Sequence, residues 1–498
     1  MTDPDNKITT VTLDPATGDR LAVVDPLGDR TTWAHNPSTG FVESMVTPRG
    51  NKVGGSPTVF RTVYTNDAYG RVTQGKEPLW SSAAPAAHQT SRTFDLDGNL
   101  RTVTDGTGNL STYTYDPAGQ LRSVKRPDDT TVSTSYDADG NMDAQVDGKL
   151  KATTYGYDPL GRLAFQADPL GRRTDFAYYP GGQLKTRQDP GGSCAAVPVA
   201  GCTTWSYNDA DQPLTTTYSD GTTPNITGTL YDGVGRRTQV QRLVGGSTRT
   251  ASYGWDSLGR MTSSTDEAGA VVGYEYNLRN LPTKTTYPGA PTRAVTRTWD
   301  DAGRATTVQD WLGHTTTYAP DEDSHIVSAS TPVGAAAQVD TYGWDNNGQL
   351  ASSTFKTGAT LLGSLSYNRD GKGRLASEVP NPGGWGGRTH TYDYTRLDQL
   401  KTADGAGFGY DPADNLTGQA NGAAQAFDDA NQLCATSATG GPGTCAAPAG
   451  GTTTFGYDVR GNRTVQRPAA GPGVGYAWNQ ANQLTKTEPV NAPAGQGA

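Results

Sequence analysis

Tyr157-Asp158-Pro159-Leu160-Gly161-Arg162-Leu163-Ala164-Phe165-Gln166-Ala167-Asp168-Pro169-Leu170-Gly171-Arg172-Arg173-Thr174-Asp175-Phe176-Ala177-Tyr178 holds the plan of the whole chain. Asp-Pro-Leu-Gly occurs in it twice, at Asp158–Gly161 and Asp168–Gly171. Asp at the first position, Pro at the second and Gly at the fourth is the order a type I turn prefers. Proline presets φ, and the aspartate carboxylate can accept from backbone N–H groups further on. Between the turns the sequence alternates. Leu163, Phe165 and Ala167 share one face, and Arg162, Ala164 and Gln166 the other. After the second turn Thr174, Phe176 and Tyr178 again share a face. Aromatic and threonine-rich segments with this period are strands, and no stretch carries a helical stripe. The unit is a β-hairpin.

Outward from this stretch the same signature returns at a fixed step. Tyr115-Asp116, Tyr136-Asp137 and Tyr157-Asp158 follow Phe94-Asp95 at steps of 21 residues, and Tyr178 continues the count. Tyr231-Asp232, Trp255-Asp256, Tyr276-Asn277, Trp299-Asp300, Trp344-Asp345, Tyr367-Asn368, Tyr410-Asp411, Phe427-Asp428 and Tyr457-Asp458 come later. Three residues after the aspartate a glycine is usual, as at Gly119, Gly140, Gly161, Gly235, Gly259, Gly303 and Gly461. An Arg, Gln or Asn follows (Arg162, Arg236, Arg260 and Arg304 among them), then an aliphatic residue. Self-similarity at such a period means a repeat architecture. The expected fold is all-β: antiparallel hairpin repeats of about 21 residues paired edge to edge into a long curved ribbon, with no helix above about two turns. Each Tyr-Asp tyrosine is expected to pack its ring on the ring of the neighbouring repeat. The recurring residues are read as structural, because every turn and every ladder step needs them.

With Tyr-Asp-x-x-Gly-Arg-Leu in hand, the chain resembles the RHS, or YD-repeat, family from about Phe94 to Leu484, with weaker copies at Leu13-Asp14 and Tyr69-Gly70-Arg71. Bacterial members are shells of polymorphic toxins and C components of insecticidal toxin complexes, and animal teneurins carry a related barrel. The resemblance implies a β-ribbon wound into a cocoon or spiral shell that sequesters a C-terminal toxic domain. The family's self-cleavage site has the form Asp-Pro-x-Gly-Leu. Here Asp-Pro-Leu-Gly stands at Asp25–Gly28, Asp158–Gly161 and Asp168–Gly171, each followed by Asp or Arg, so self-cleavage is not expected. The expectation is a shell segment whose effector lies outside this chain. Its partners would be the remainder of a shell or a toxin or effector domain.

Composition fits a thin ribbon. Only 34% of the 498 residues are hydrophobic, while Gly (63) and Pro (31) supply turns. Disorder would also lower apolar content, but 24 Tyr and 9 Trp held in register argue against it. A net charge of −9 disfavours nucleic-acid binding, which needs a basic stripe. No 18-residue apolar run offers a membrane span, and Met1–Pro15 has no charged-then-apolar signal. The expected location is nevertheless outside the cell or on its surface, by an unstated export route.

The four cysteines form two sequence-local pairs, Cys194/Cys202 and Cys434/Cys445, each inside a Gly/Pro/Ala-rich insertion that lengthens the repeat. Both insertions are read as exposed loops closable by a disulfide, the alternative being four free thiols. Zinc is not expected, since neither pair is Cys-x2-Cys.

Other motifs fail on inspection. Trp255-Asp256, Trp299-Asp300 and Trp344-Asp345 recur at steps of 44 and 45, but Tyr276-Asn277 and Tyr318 fall between them, so these are not propeller blades. Asp137-Ala138-Asp139-Gly140-Asn141 imitates a calcium loop, yet its sixth and twelfth positions are Met142 and Gly148. The five histidines are scattered, and no nucleophile or phosphate-loop motif occurs. No catalytic residue, cofactor or metal is expected.

Three segments follow: divergent repeats over 1–90, the repeat ribbon over 91–485 with insertions near 188–204 and 434–452, and a disordered Gly/Ala/Pro tail over 486–498. The functional expectation is a structural shell segment, not an enzyme. The alternative is a cell-surface module that binds carbohydrate through an aromatic face. A ribbon on the order of 170 Å long, set by strand spacing, would make roughly one turn and leave edge strands open. On this reading Arg162 lies on the solvent face, and Gly161→Val is expected to hurt more than Arg162→Ala.

Overall fold

The computed structural model describes residues 1–195, 200–334, 336–381 and 387–491. They form 43 strands and one helix of a single turn, Pro48–Asn51. Thirty-five strands belong to one open sheet and eight to a second, and the described pairings between strands are antiparallel. The all-β hairpin ribbon expected from the repeat is the observed fold.

One hairpin shows why. Ala152–Tyr157 pairs with Leu163–Ala167, which pairs in turn with Arg173–Tyr178. At the first turn the Asp158 N–H donates to Arg162 O and the Gly161 N–H donates to Asp158 O, both at 2.9 Å. Gly161 has φ +73°, the left-handed conformation that closes a type I turn with a bulge. The ladder slips by one residue there, so Gly156 faces Phe165 and Tyr157 faces Leu163. The same slip recurs at Tyr136, Tyr178, Tyr231, Trp299, Trp344 and Tyr457. Register is therefore reset in every repeat, and the alternating faces stay in phase along the ribbon.

One sequence assignment moves. Tyr367-Asn368 does not open a turn, because the strand Thr360–Arg369 runs past it and the turn begins at Asp370. Arg369 takes the aromatic position, its guanidinium donating to Leu350 O at 2.9 Å. The pair Tyr367-Asn368 imitates the aromatic–Asp spelling two residues early, while the Asp-Gly-Lys-Gly order of Asp370–Gly373 sets the turn.

Little of the chain is fully buried. Among the described residues the buried apolar ones are Ala22, Val46, Cys202 and Ala435, and small polar side chains such as Thr203 and Ser353 are also buried. Most strand residues are half-buried, as a sheet with two partly covered faces requires.

The chain divides into two compact units. The first comprises Met1–Tyr113, Trp255–Ser264 and Ala270–Arg396; the second comprises Thr114–Gly254, Thr265–Gly269 and Leu397–Ala498. Each unit thus gathers an early and a late stretch of ribbon. At the C-terminal end the strand Leu484–Val490 pairs with Gly473–Trp478. Ordered ribbon therefore passes residue 486, where the disordered tail was expected to start, and residues 492–498 lie outside the described residues.

Candidate functional site

The turn aspartate acts through its carboxylate. Asp158 Oδ1 accepts from the N–H of Leu160 at 2.9 Å and of Arg162 at 3.1 Å. Asp116, Asp137, Asp232, Asp256, Asp300 and Asp458 repeat this with the residues two and four positions on. Gly119, Gly140, Gly235, Gly259, Gly303 and Gly461 have φ between +80° and +86°, the region glycine enters without a Cβ penalty. The Arg162 guanidinium holds the Asp158 carboxyl below the usual carboxylate range, with backbone donors adding to it. At Asp232 and Asp256 the backbone N–H of Arg236 and Arg260 leads, and the guanidinium follows.

The arginines are not on a solvent face. Arg162 Nε donates to Asp158 Oδ2 at 2.7 Å and Nη1 to Tyr179 O at 3.2 Å. Its guanidinium lies over the Tyr178 ring, 4.6 Å from the centroid. Arg236 and Arg304 bond their turn aspartates in the same way, and Arg260 does so while stacking on Tyr276. The five-donor fork satisfies the carboxylate and the next turn together, which alternation of faces alone does not reveal.

The aromatic residues also differ from a ring-on-ring ladder. The hydroxyl of Tyr136 donates to Leu121 O, that of Tyr157 to Met142 O and that of Tyr178 to Leu163 O, at 2.9–3.0 Å. Tyr231, Tyr276 and Tyr457 do the same toward Pro213, Met261 and Leu433. In Trp299 and Trp344 the indole N–H substitutes for the hydroxyl. Burial pushes the Tyr157, Tyr207, Tyr394 and Tyr410 phenols up, which keeps each hydroxyl a donor. Each ring thus reaches back one repeat to the aliphatic residue's carbonyl, and the planar partner on its face is a guanidinium at Tyr178, Tyr276 and Tyr394. Tyr115 and Trp255 occupy the same position, ending the strands Leu110–Tyr115 and Ser247–Trp255.

Both insertions are closed locally. Cys194 is bonded to Cys202 and Cys434 to Cys445, with Cα separations of 5.1 and 5.3 Å. Cys202 begins one strand and Cys434 lies in another, so only one cysteine of each pair sits in a loop.

Within each unit the two ribbon stretches dock through their turns, at sequence separations of 257 to 296 residues. This corrects the single-turn band. That estimate used strand spacing alone and had no information on how turn tips fit one another. Each unit follows one rule. Aromatic-side turns of the late stretch meet opposite-side turns of the early stretch. In the first unit Arg49 Nε donates to Asp323 Oδ2 at 2.8 Å, with both side chains about nine-tenths buried, and Arg49 Nη2 reaches Asp345 O. Lys372 pairs with Asp105 at 2.8 Å, and Gly106 packs against Gly371 so closely that a Cβ on Gly106 would stand 2.1 Å from the Gly371 carbonyl oxygen. Burial pushes the Asp105 carboxyl up, but the Lys372 ammonium and the N–H groups of Asn109 and Thr107 outweigh it and hold it at about 2. In the second unit Arg126 pairs with Asp414 at 2.7 Å, and Lys151 with Asp429 at 2.9 Å. A Cβ on Gly148 would fall 1.8 Å from the Pro412 carbonyl oxygen. Gln480, 2% exposed, donates to Thr203 Oγ1 and accepts from the N–H of Asp220.

Sequence reasoning missed these docking residues. A usable signal was the glycine directly after the turn aspartate, in Asp105-Gly106, Asp147-Gly148 and Asp370-Gly371. A type I turn does not require glycine there; at Gly106, Gly148 and Gly371 another backbone approaches closely, whereas at Asp232-Gly233 nothing does, so the signal is partial.

Among the described residues no group of three or more His, Cys, Asp and Glu is arranged to hold a metal, and no helix is long and apolar enough to cross a membrane.

Hairpins joined by capped turns, linked by back-reaching aromatics and docked turn on turn define a β-ribbon repeat protein. The RHS Repeat family model matches residues 94–131, 115–149, 231–271 and 255–292, so these stretches are similar to RHS, or YD, repeats. No curated protein matches the chain. Its fold is similar to crystal structures of TcdB2–TccC3. One, "TcdB2-TccC3-TEV", matches with TM-score 0.58 at 14% identity, over 98% of this chain and 30% of that one. Another, lacking the hypervariable C-terminal region, matches with TM-score 0.59 at 14% identity, over 99% and 29%. The Tc holotoxin pore of Photorhabdus luminescens with a TccC3 mutation matches with TM-score 0.55 at 13% identity, over 94% and 26%. The chain therefore spans less than a third of the length of these structures.

Proposed function

We propose that this chain is a wall segment of an RHS-type shell, non-catalytic in itself, that encloses or presents an effector carried outside these residues. The observation that carries the reading is the docking rule within each unit. Ribbon stretches lie turn against turn with ion pairs and glycine contacts between them, so a wall gains height by adding passes of ribbon rather than by thickening. The thin core and the low apolar fraction suit a single-layer wall better than a filled globule. Likeness of fold to the TcdB2–TccC3 structures supports the same reading, and the remainder of a shell and a toxin or effector domain are its partners. Such a protein acts outside the producing cell, so export belongs to the proposal.

The carbohydrate-binding alternative loses ground because the ladder rings are engaged. Their polar tips bond backbone carbonyls, and arginines cover ring faces. Small-angle X-ray scattering of the purified chain tests the shell reading. A thin wall around solvent puts most atom pairs at long separations, and a distance distribution of a compact solid body would end the proposal.

A further inference from the structure

Five repeats of the first unit hold no Tyr, Phe or Trp before the turn, at Leu13, His35, Asn66, Pro320 and Arg369, and of these His35 and Asn66 are consecutive. The residue before the turn is a ring at Tyr136, Tyr157 and Tyr178, but it is His35 and Asn66 in the earlier repeats. The register is unchanged. His35 faces Val42 and Asn66 faces Val72, as Tyr157 faces Leu163. Asn66 Nδ2 donates to Val42 O at 2.9 Å, the acceptor one repeat back that a tyrosine hydroxyl takes elsewhere. A short amide therefore makes the ladder's hydrogen bond without the ladder's ring.

A cavity of about 740 Å³ opens at this position. Trp33, Phe41, Tyr64 and Val72 form its apolar walls, with His35 and Asn66 between them. Trp33 and His35, and likewise Tyr64 and Asn66, are two residues apart on their strands and share the face of the missing ring. Phe41 lies tight over the next turn because residue 70 is glycine; a Cβ there would stand 2.7 Å from the ring. The Arg20 guanidinium covers Trp33 at 4.0 Å, as motif arginines cover rings in regular repeats. His35 Nδ1 is buried without a hydrogen-bond partner among the described residues.

We infer that this cavity is a slot for an aromatic ring of a partner polypeptide, a tyrosine or phenylalanine side chain seated where regular repeats hold their own. The regular repeats supply the template: apolar walls on the ring and a carbonyl for the hydroxyl. Val42 O keeps a second lone pair after accepting from Asn66, so a phenol can still donate to it. The inference stands on the ladder geometry and does not depend on the shell role.

The test uses 4-ethylphenol as the probe and saturation-transfer NMR on the full chain. Ring protons should receive saturation from the parent protein. Asn66→Tyr fills the slot with the ladder's own ring and should abolish the transfer while thermal stability holds or rises. His35→Tyr fills the neighbouring position and serves the same purpose if the first variant folds poorly. No transfer to the parent, or equal transfer to parent and a folded variant, overturns the inference. So does methyl glucoside giving the variant-sensitive signal in place of the phenol, since that would make the slot a saccharide site.

Discussion

Gly161 and Arg162 stand side by side and are held for different reasons. Gly161 occupies φ +73°, and a Cβ there would meet only Asn141 Oδ1 at an ordinary contact distance of 3.8 Å, so the cost of a larger residue begins with backbone strain. Gly161→Val should cost about 1–3 kcal/mol in urea melts. Arg162→Ala removes the fork on Asp158, the bond to Tyr179 O and the cover on Tyr178. Its loss should exceed the roughly 0.5 kcal/mol of an ordinary surface change, and a neutral result would show the guanidinium contacts to be idle. Protonation gives a second readout at this scale. Asp105 titrates lower folded than unfolded, so its contribution is complete above about pH 4 and fades as the pH falls from 3.8 toward 2. Asp67, Asp95, Asp137, Asp158, Asp232, Asp256 and Asp310 are displaced the same way, while burial and Asp25 push Asp29 the opposite way. Denaturation midpoints should therefore drop across that window. Asp105→Asn should shallow the drop, and an unchanged slope would remove Lys372–Asp105 from the acid response.

At the scale of the hairpin, stability comes from bonds between consecutive repeats. Tyr157→Phe keeps the ring and deletes the donor to Met142 O, which should cost about 1 kcal/mol with the fold unchanged by circular dichroism. The same change at Tyr178 should match it, because the bond to Leu163 O is the same length. The disulfides act on loops that interrupt this order. Each closes a short loop, eight and eleven residues apart in sequence, and replacing a pair by serines should cost roughly 2.5–3 kcal/mol in the chain-entropy account. Non-reducing peptide mapping should recover Cys194–Cys202 and Cys434–Cys445, and a crossed pair such as Cys202–Cys434 would show that the loops exchange partners.

At the scale of the whole chain, contacts between residues far apart in sequence set this protein apart from a repeat array in which each unit touches only its neighbours. Each unit should respond separately to damage at its own docking line. Gly106→Ala forces a Cβ into the Gly371 carbonyl, and hydrogen exchange should speed up around Asp370–Arg374. Gly148→Ala does the same against Pro412, with faster exchange expected around Asp411–Asn415. A variant whose exchange is unchanged at its docking turn would show that the approach does not hold the stretches together.

Much was legible in the sequence because the information is local. Asp158, Pro159 and Gly161 specify a turn through their own φ preferences and side-chain acceptors, and alternation from Leu163 to Ala167 specifies the strand between turns. Hairpin pairing, all-β class and the nearness of the two cysteine pairs follow from interactions within about 21 residues. Tertiary structure alone decided the rest. Which side of Arg162 meets water depends on Tyr178 and Tyr179 of the next repeat, and the meeting of Arg49 with Asp323 depends on small rotations summed over many hairpins. No local preference encodes that sum, and of the docked turns only those at Gly106, Gly148 and Gly371 left a mark in the sequence.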